Sequence, residues 1–593
     1  MKQERLIKGI AVSPGIAVGP VYVMRTELPE ITHRVISRDE VVAEADRLYR
    51  AVVEVRQELE SLMRHTEDRA GIEEAKIFSA QIAMLEDQEF LRAVESLVRD
   101  NLLTAERAFE FEALELRETW GQSSSATLQQ RVADLSGIQT RVLHRLLGQS
   151  LDDVLHEAGD RPAIVLARDL TPGLTVQLEQ GSVIGLASEK GARTSHAAIL
   201  ARSMGLPCVM GLVGGIDRIR SGVTALLDGT RGTVLIDPTD IEIADAYERE
   251  GLRLELGREL ESILGQPAVT SDGTAVALRA NVDLPEEVEA AAEHGAEGVG
   301  LFRTEFLVVG RTELPREDEQ AEFFERIGRR FAPYPVVIRS YDLGGDKFPA
   351  AFRAAPESNP FLGWRAIRVC LDEPDVFRTQ IRAMLRARAS SDVRLMLPLI
   401  SQVEELVRTR EMMALAAEEL EREGIAFGPD LPLGVMVETP AAAMMVEELA
   451  VYSDFLSVGT NDLTQYTLAV DRGNARLADR FSPLHPAVVR LLRRVVDCAL
   501  CRGRDVSVCG EMASEPLSIL LLLGLGYRVL SSSPGALPLV RWLVRQVDLA
   551  AAQRAAVAAV EAATTKEVID ILAQTIGEHV DLNLLDAGRL SVR

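Results

Sequence analysis

The amino-acid sequence predicts a multidomain α/β protein, in which an α/β domain with an inserted helical subdomain precedes a (β/α)8 barrel of the TIM type. Three observations predict this fold class. The chain has 593 residues, which is more than one hydrophobic core accommodates. Short strand patterns flank one long helical block in the first part of the chain. Eight β-like runs, each followed by a helix-forming segment, then fill roughly 320 residues, which fits a barrel with insertions.

Two separated stretches of strand-like sequence predict the α/β domain. Valine and isoleucine alternate with glycine and proline over Gly9–Val23, a pattern of short strands and turns. Strand patterns return at Pro162 and continue to Asp237. We therefore assign residues 1–36 and 149–240 to one α/β domain.

The block between these stretches has helical periodicity. Apolar residues recur at helical spacing over Val41–Met63 and Glu73–Val98, with few helix breakers inside either segment. These segments predict a helical subdomain over residues 37–148. The charged, helix-forming stretch 241–264 is interpreted as a linker helix between the first domain and the barrel.

Residues 265–593 are predicted to form the barrel. Its β-like runs are Val276–Asn281, Gly298–Arg303, Val336–Arg339, Val393–Leu397, Gly434–Glu438, Phe455–Gly459, Val506–Cys509 and Tyr527–Leu530. Polar residues recur at or just after the downstream ends of these runs: Asn281, Arg303, Arg339, Glu438, Asn461, Asp462 and Cys509. Barrel enzymes place their chemistry at that end, so we expect a site there.

Composition excludes several classes of protein. The net charge of -25 and the pI near 4.9 argue against binding to nucleic acid, which needs a basic surface. No apolar run reaches the ~18 residues of a spanning helix, so we expect no membrane insertion. The N-terminus lacks the apolar region of a secretory signal, and the five cysteines form no disulfide framework. Cytoplasm is therefore the expected compartment.

A histidine follows a glycine-led turn, Gly-Ala-Arg-Thr-Ser-His, at residues 191–196. The apolar segment behind it predicts a helix, with Thr194 or Ser195 as its N-cap. The free N–H groups of a first helical turn favour an anion, and a neutral imidazole can attack phosphorus. His196 is thus a candidate phosphoryl acceptor. A capping histidine in an ordinary loop is the alternative, because short motifs are weak evidence alone.

Three arginines of the barrel are candidate anion ligands. Arg303 and Arg339 stand at strand ends, and Arg472 follows Asp462 by ten residues. A guanidinium binds phosphate or carboxylate through two parallel hydrogen bonds. One such arginine is most often a surface ion pair, whereas three at one barrel mouth favour a binding site.

Two carboxylates and a thiol complete the candidate site. Glu438 and Asp462 end successive strands, and two oxygen ligands with open positions suit Mg²⁺, although a structural salt bridge is the alternative. Cys509 ends a strand beside a glycine that we expect to leave its sulfur uncovered, so it can donate or abstract a proton. An inert core thiol is the alternative there. Together these groups describe a site for an anionic phosphorylated carboxylate such as phosphoenolpyruvate.

With these motifs, the chain resembles the Enzyme I family of the bacterial phosphotransferase system. The resemblance rests on the histidine motif, on Gly-Leu-Phe-Arg-Thr-Glu-Phe, Asp-Leu-Gly-Gly-Asp-Lys, Asn-Pro-Phe-Leu-Gly-Trp-Arg and Val-Glu-Thr-Pro, and on Gly-Thr-Asn-Asp-Leu-Thr-Gln-Tyr and Cys-Gly-Glu-Met. It runs nearly end to end. It implies a swivelling phosphohistidine domain, a carrier-docking helical subdomain and a barrel that binds phosphoenolpyruvate and forms a homodimer.

The resemblance also implies roles for residues. Phosphoenolpyruvate would phosphorylate His196 at Nε2 in the presence of Mg²⁺, and the phosphoryl group would pass to a histidine of the carrier HPr. Cys509 would protonate the enolpyruvate carbon as pyruvate forms, and Thr171 would orient the histidine ring. The residues expected to hold the substrate are Arg303, Arg339, Arg365, Asn461, Asp462 and Arg472, and those expected to hold the metal are Glu438 and Asp462.

One departure and two rival functions accompany the resemblance. Family members commonly have Gly-Gly before Arg-Thr-Ser-His, where this chain has Ala192, and the added methyl restricts the turn if φ there is positive. An enzyme of the pyruvate phosphate dikinase or phosphoenolpyruvate synthase type is disfavoured, because the chain begins directly with the first strand pattern. A non-catalytic carrier-binding regulator is disfavoured because every candidate catalytic residue is present.

Overall fold

The computed structural model describes two compact units, residues 1–251 and 252–593. The description covers residues 5–24, 31, 34–70, 72–121, 126–148, 162–168, 183–191, 198, 201–202, 204–213, 216, 219–308, 311, 313–344, 357, 359–472 and 474–587. The division at Gly251 falls inside the segment 241–264 that the sequence predicts as a linker. That segment is helical, as expected, and the predicted domain bounds stay predictions.

A mixed β-sheet forms the centre of the first unit. Its strands run in the order β1-β8-β7-β3-β4-β5-β6-β2. The pairs β3–β4, β4–β5 and β5–β6 are parallel, whereas β7 pairs with β3 and β2 pairs with β6 in the antiparallel direction. They are β1 (Leu6–Lys8), β2 (Ile10–Ser13), β3 (Ile16–Met24), β4 (Ala163–Ala167), β5 (Val183–Ser188), β6 (Cys208–Met210), β7 (Thr224–Asp228) and β8 (Thr233–Ile236). Every residue of β4 is buried, as expected for a central strand covered on both faces.

Helices occupy the sequence between β3 and β4. They are α1 (Val41–Ala70), α2 (Ile72–Leu85), α3 (Gln88–Asp100), α4 (Ala105–Gly121) and α5 (Ala126–Leu146). Their apolar stripes meet in one core that includes Leu59, Phe78 and Phe109. The helical subdomain therefore has a core of its own.

The predicted helical segment Glu73–Val98 is helical but contains one break. The segment Glu73–Val98 is two helices, α2 and α3, rather than one. The side chain of Asp87 caps α3 by accepting hydrogen bonds from the backbone N–H groups of Glu89 at 2.8 Å and Phe90 at 3.2 Å. An N-capping aspartate has non-helical backbone angles, so it ends the preceding helical run.

The second unit is a closed parallel barrel, which confirms the predicted fold class. Its strands are β9 (Ala277–Val282), β10 (Val299–Phe302), β11 (Val336–Arg339), β12 (Val393–Leu397), β13 (Leu433–Val437), β14 (Phe455–Val458), β15 (Asp505–Val508) and β16 (Val529–Ser532). Each pairs in parallel with the next, and β16 pairs with β9 to close the barrel. Strand β16 begins two residues later than predicted, because Tyr527 is buried outside it and donates its hydroxyl hydrogen to Leu492 O.

Helices follow the strands of the barrel. After the linker helix α6 (Asp240–Ser262) they are α7 (Glu287–Glu293), α8 (Glu317–Phe331), α9 (Ile367–Asp372), α10 (Pro374–Arg388), α11 (Val403–Glu423), α12 (Pro440–Met444), α13 (Val446–Tyr452), α14 (Thr460–Leu468), α15 (Pro486–Arg502), α16 (Pro516–Leu525), α17 (Leu537–Gln546), α18 (Leu549–Glu561), α19 (Thr565–Gly577) and α20 (Leu582–Ala587). Helix α16 is buried along its whole length, which matches its run of leucines. In the described part of the chain, no helix has the length and apolarity needed to cross a membrane.

Candidate active site

The C-terminal ends of the barrel strands gather most of the predicted site residues. Arg339 is the last residue of β11, while Arg303, Glu438 and Cys509 directly follow β10, β13 and β15. Asn461 and Asp462 lie in the first turn of α14, which follows β14. Because all the strands are parallel, these positions meet at one mouth of the barrel.

Arg339 lies in a buried ion pair network at this mouth. Its side chain is 10% exposed, and its guanidinium donates to Glu305 Oε1 at 2.9 Å and contacts Asp342 Oδ2 at 3.0 Å. The backbone N–H of Asp342 donates to the same Glu305 oxygen, which holds Asp342 in place just after β11. Nε of Arg339 is buried without a hydrogen-bond partner among the described residues. A buried unpartnered donor at a barrel mouth is available to an anionic ligand.

Asp342 extends the network to Arg365. Nη2 of Arg365 donates to both oxygens of Asp342 at 2.9 and 2.8 Å, and Nη1 donates to the Tyr466 hydroxyl at 3.2 Å. Nη2 also lies 3.5 Å from Asp462 Oδ2. The prediction that Arg365 joins the mouth of the barrel thus agrees with its contacts, whereas its role in substrate binding stays a prediction.

Glu438 is the most deeply buried carboxylate of the site. It is 2% exposed, and its Oε1 accepts a hydrogen bond from the backbone N–H of Leu399 at 2.6 Å. Burial and the negative charges of Asp462 and Asp342 raise the pKa of Glu438 to about 8. Carboxylates that disfavour each other's charge in a buried site are stabilised by a divalent cation between them.

The donor set therefore fits a cation that takes few protein ligands. Glu438 and Asp462 supply hard oxygen atoms, as Mg²⁺ prefers. Among the described residues, no three histidine, cysteine, aspartate or glutamate side chains cluster closely enough to form a complete metal cage. A cation at Glu438 would thus complete its shell with substrate oxygens and water, which is the usual habit of Mg²⁺.

Cys509 is buried rather than open at the mouth. The expectation that its neighbouring glycine leaves the sulfur uncovered is wrong, since the residue is 4% exposed and packs with Leu301, Met396 and Met436 inside the barrel. Burial is the main cause that raises the pKa of this thiol to about 11. The thiol therefore stays protonated at neutral pH, which is the form that can donate a proton.

Asn281 supports the strand end that carries Cys509. Its side-chain amide donates to Cys509 O at 2.9 Å and to Ser531 O at 3.2 Å, and its own oxygen accepts from the Ser531 hydroxyl at 2.7 Å. Its amide groups are thus engaged with neighbouring strands. We interpret Asn281 as a support for the mouth of the barrel.

The remaining predicted ligands lie at the rim of the mouth. Arg303 is 41% exposed and pairs with Asp283 at 2.6 Å. Asn461 and Glu511 form a reciprocal pair, in which the Asn461 amide donates to Glu511 Oε1 at 2.8 Å and the Glu511 N–H donates to Asn461 Oδ1 at 3.0 Å. Arg472 is exposed and lies outside the buried network, and its backbone N–H donates to a glutamine oxygen of α14.

The histidine motif lies outside the described residues apart from its first glycine. Gly191 has a φ of +119°, and a Cβ there would lie 2.8 Å from the sulfur of Met210. Glycine is therefore required at the head of this turn. His196, Ala192 and Thr171 lie in the undescribed part of the chain.

Sequence patterns alone assign no role to two acidic residues of the network. Glu305 follows Arg303 by two positions, and Asp342 follows Arg339 by three. An acidic residue soon after a strand-end arginine was the available signal. It was weak, because acidic residues are common on this chain and spacing alone does not show that they are buried.

Comparison with known proteins finds similarity along most of the chain. Models of PEP-utilising enzymes match three successive segments: the N-terminal domain over 8–131, the mobile domain over 159–232 and the PEP-binding domain over 258–549. The phosphoenolpyruvate-protein phosphotransferase of Geobacillus stearothermophilus is 37% identical over 574 residues, which cover 97% of this chain and 98% of that protein.

Two further proteins are similar to this chain to different extents. The phosphoenolpyruvate-protein phosphotransferase of Bacillus subtilis is 36% identical over 569 residues, 96% of this chain and 99% of that protein. The solution structure of an Enzyme I protein is 28% identical, with a TM-score of 0.35, and covers 41% of this chain and 98% of that one.

Proposed function

The chain belongs to the family of phosphoenolpyruvate-protein phosphotransferases, and we propose on this premise that its barrel binds phosphoenolpyruvate and that His196 accepts the phosphoryl group. The observation that carries this proposal is the buried network at the barrel mouth. There Arg339 and Arg365 are held between the carboxylates of Glu305, Asp342 and Asp462. Such fixed guanidinium groups suit a small, multiply charged anion.

The substrate is held by guanidinium and amide groups. In this proposal Arg339 offers its unpartnered Nε to the ligand. Arg365 lies close by, because Asp342 contacts both guanidinium groups. Arg303, Arg472 and Asn461 close over the anion from the rim. The exposed guanidinium of Arg303 can exchange its contact with Asp283 for a phosphate or carboxylate oxygen, because an exposed pair contributes little stability.

Glu438 and Asp462 hold Mg²⁺ in this proposal. When bound, Mg²⁺ would stabilise the negative charge that develops during phosphoryl transfer. The two carboxylates would hold the ion in place, while the arginines stabilise the remaining charge of the anion. Glu438 is 2% exposed, so its carboxylate lies in a poorly solvated part of the site, where electrostatic interactions are strong.

Cys509 and His196 complete the group transfer. The bond between phosphorus and the enolic oxygen breaks, and a bond between phosphorus and Nε2 of His196 forms. The Cys509 thiol gives its proton to the methylene carbon of the enolate, which yields pyruvate, and the thiolate then recovers a proton from solvent. The raised pKa of Cys509 supports this role, because the thiol carries its proton before the reaction begins.

The phosphoryl group then passes to a histidine of an HPr-type carrier, in the first step of the cytoplasmic sugar phosphotransferase system. The carrier docks on the helical subdomain, where exposed acidic residues Glu86, Asp87 and Glu89 lie around the start of α3. An acidic surface suits a carrier with basic residues. The protein acts as a homodimer formed through the barrel.

A pyruvate burst tests this function. The protein is mixed with phosphoenolpyruvate and Mg²⁺ without a carrier, and pyruvate is measured with lactate dehydrogenase. We expect a burst equal in amount to the protein, which is absent in His196→Ala and retained in the surface control Glu404→Gln. Added carrier should convert the burst into turnover. Continuous pyruvate release by the parent without a carrier, or no release at all, would contradict the proposal.

A further inference from the structure

The two carboxylate oxygens of Glu438 have unlike surroundings. Oε1 accepts a hydrogen bond from the backbone N–H of Leu399 at 2.6 Å. Oε2 accepts no hydrogen bond from the described residues and faces Gly459. A Cβ atom built on Gly459 would lie 2.9 Å from Oε2 and 3.0 Å from the Cβ of Glu438. A side chain at position 459 would therefore displace the carboxylate.

Gly459 is not required by its backbone conformation. Its φ of -85° and ψ of 81° lie in a region that other residues adopt. Gly459 is also buried, and it directly links β14 to α14. The space that a side chain would need is taken mainly by Glu438, with Met436 Cγ also 3.2 Å from a Cβ built there, which is the physical reason for a glycine at this position.

Leu399 holds the other oxygen from a strained turn. Its φ is +56°, the left-handed conformation that bulky residues rarely adopt, and its side chain is buried. The next residue, Ile400, accepts a hydrogen bond from the Thr439 hydroxyl at 2.8 Å. Two hydrogen bonds therefore join this turn to the end of β13. Strain retained beside a candidate site is a sign of positioning.

Among the described residues, no charged side chain forms an ion pair with Glu438 Oε2. Asp342 is engaged by Arg365 and Arg339, and neither arginine forms an ion pair with Glu438. Asp462 and Asp342 place further negative charge near Glu438, and Arg339 and Arg365 offset part of it. Oε2 therefore lacks an ion-pair partner among the described residues, while a second carboxylate acts on Glu438 electrostatically.

We propose that Leu399 and Gly459 are positioning residues that give the two oxygens of the Glu438 carboxylate different roles. The Leu399 N–H holds Oε1. Because Gly459 has no side chain, Oε2 keeps its place and is the single oxygen that binds the cation. This inference rests on the proposed function, which places a divalent cation at Glu438 and Asp462. It adds that Glu438 binds in a monodentate manner. It also makes Gly459 a determinant of cation affinity, although Gly459 contributes no ligand atom.

Direct binding of Mn²⁺ to the full chain tests the inference. Free Mn²⁺ is measured by its electron paramagnetic resonance signal, with and without phosphoenolpyruvate. We expect Gly459→Ala to weaken Mn²⁺ binding by about 10- to 100-fold, as is typical when the surroundings of a metal ligand are disturbed. The matched control Gly535→Ala should bind like the parent, because a Cβ on Gly535 meets nothing within 4 Å.

Glu438→Gln separates this inference from the proposed function. The amide oxygen of the variant can still accept the Leu399 N–H, whereas an NH2 group replaces Oε2, so we expect Mn²⁺ binding to be lost. If Glu438→Gln binds Mn²⁺ like the parent, the proposed metal site is wrong. If Glu438→Gln loses binding while folded Gly459→Ala keeps it, the metal site stands and the inference about Gly459 is overturned.

Infrared difference spectroscopy of the parent decides the coordination even if Gly459→Ala does not fold. Mg²⁺-induced spectra of Glu438→Gln are subtracted from those of the parent to isolate the Glu438 carboxylate. Monodentate binding should widen the separation between its antisymmetric and symmetric stretches relative to the free carboxylate. A narrower separation, which is typical of bidentate binding, would overturn the proposal.

Discussion

Asp342 holds Arg365 through both of its carboxylate oxygens, at 2.9 and 2.8 Å from Nη2. The same carboxylate contacts the guanidinium of Arg339 at 3.0 Å. Both side chains of the Asp342–Arg365 pair are almost fully buried, with exposures of 6% and 11%. One acidic residue therefore fixes two arginines before any substrate arrives, and binding needs little further ordering of these side chains.

Asp342→Asn should weaken both substrate binding and folding. Loss of the charge leaves two buried guanidinium groups with less compensation, and removal of one partner of a buried pair costs about 3 kcal/mol or more. We expect the free energy of unfolding of the barrel to fall by about this amount. We also expect KM for phosphoenolpyruvate to rise about tenfold, while kcat changes less. Denaturant unfolding and steady-state kinetics measure the two effects.

Asp375→Asn is the matched control for this substitution. Asp375 pairs with Arg378 on the surface, and its side chain is 87% exposed. Exposed pairs contribute about 0–1 kcal/mol, so stability and KM should stay near the parent values. Equal effects of the two substitutions would contradict the positioning role of Asp342.

Arg339→Lys should impair the enzyme even though the positive charge is kept. The guanidinium contacts Glu305 and Asp342 with two different nitrogen atoms and presents Nε as a further donor, which an ammonium group cannot reproduce. We expect kcat/KM to fall about 100-fold, since each lost factor of ten corresponds to about 1.4 kcal/mol. Arg329→Lys, on the exposed face of α8, should leave kcat/KM unchanged. A similar kcat/KM for Arg339→Lys and the parent would contradict the account.

The fold and the location of the site were predictable from the sequence because both depend on regular patterns. Eight βα units imply a barrel, and parallel strands bring their downstream residues to one end. Arg339, Glu438 and Cys509 were found in this way. The pairing of Asp342 with Arg365 was not predictable, since it depends on how the chain before α9 returns to the mouth of the barrel.

Other details depend on packing that a sequence pattern does not encode. The left-handed turn at Leu399 has no glycine or asparagine to mark it, because tertiary contacts impose the conformation. The burial of Cys509 depends on side chains from β10, β12 and β13 that fill the barrel beneath it. Strand-end position therefore predicted where Cys509 lies, but not how far solvent reaches it.

Alkylation should distinguish the buried Cys509 from the exposed Cys501. The thiolate is the reactive form, and the raised pKa of about 11 leaves Cys509 almost entirely protonated below pH 9. Iodoacetamide at pH 8 should label Cys501 and spare Cys509, and labelling of Cys509 should rise as the pH approaches 11. Peptide mass spectrometry measures both sites. Equal labelling of the two cysteines at pH 8 in the folded protein would contradict the burial of Cys509.

Arg382→Ala should destabilise the barrel without affecting substrate binding. Arg382 is 10% exposed and pairs with Glu317 of α8 and with Glu419 and Glu423 of α11. We expect a loss of about 2 kcal/mol, less than the ~3–5 kcal/mol of a fully buried pair because Glu423 is 49% exposed. Denaturant unfolding measures this loss. An unchanged free energy of unfolding, or a raised KM for phosphoenolpyruvate, would contradict this structural role.

Phosphorylation of His196 is the most direct test of the proposed function. The parent and His196→Ala are incubated with Mg²⁺ and with phosphoenolpyruvate whose phosphoryl group is radioactive. The labelled protein is then exposed to acid and to base, and the label that stays bound is measured. The account predicts a label on the parent that is lost in acid and stable in base, as expected for a phosphohistidine, and no label on His196→Ala. Persistent label on His196→Ala would contradict it.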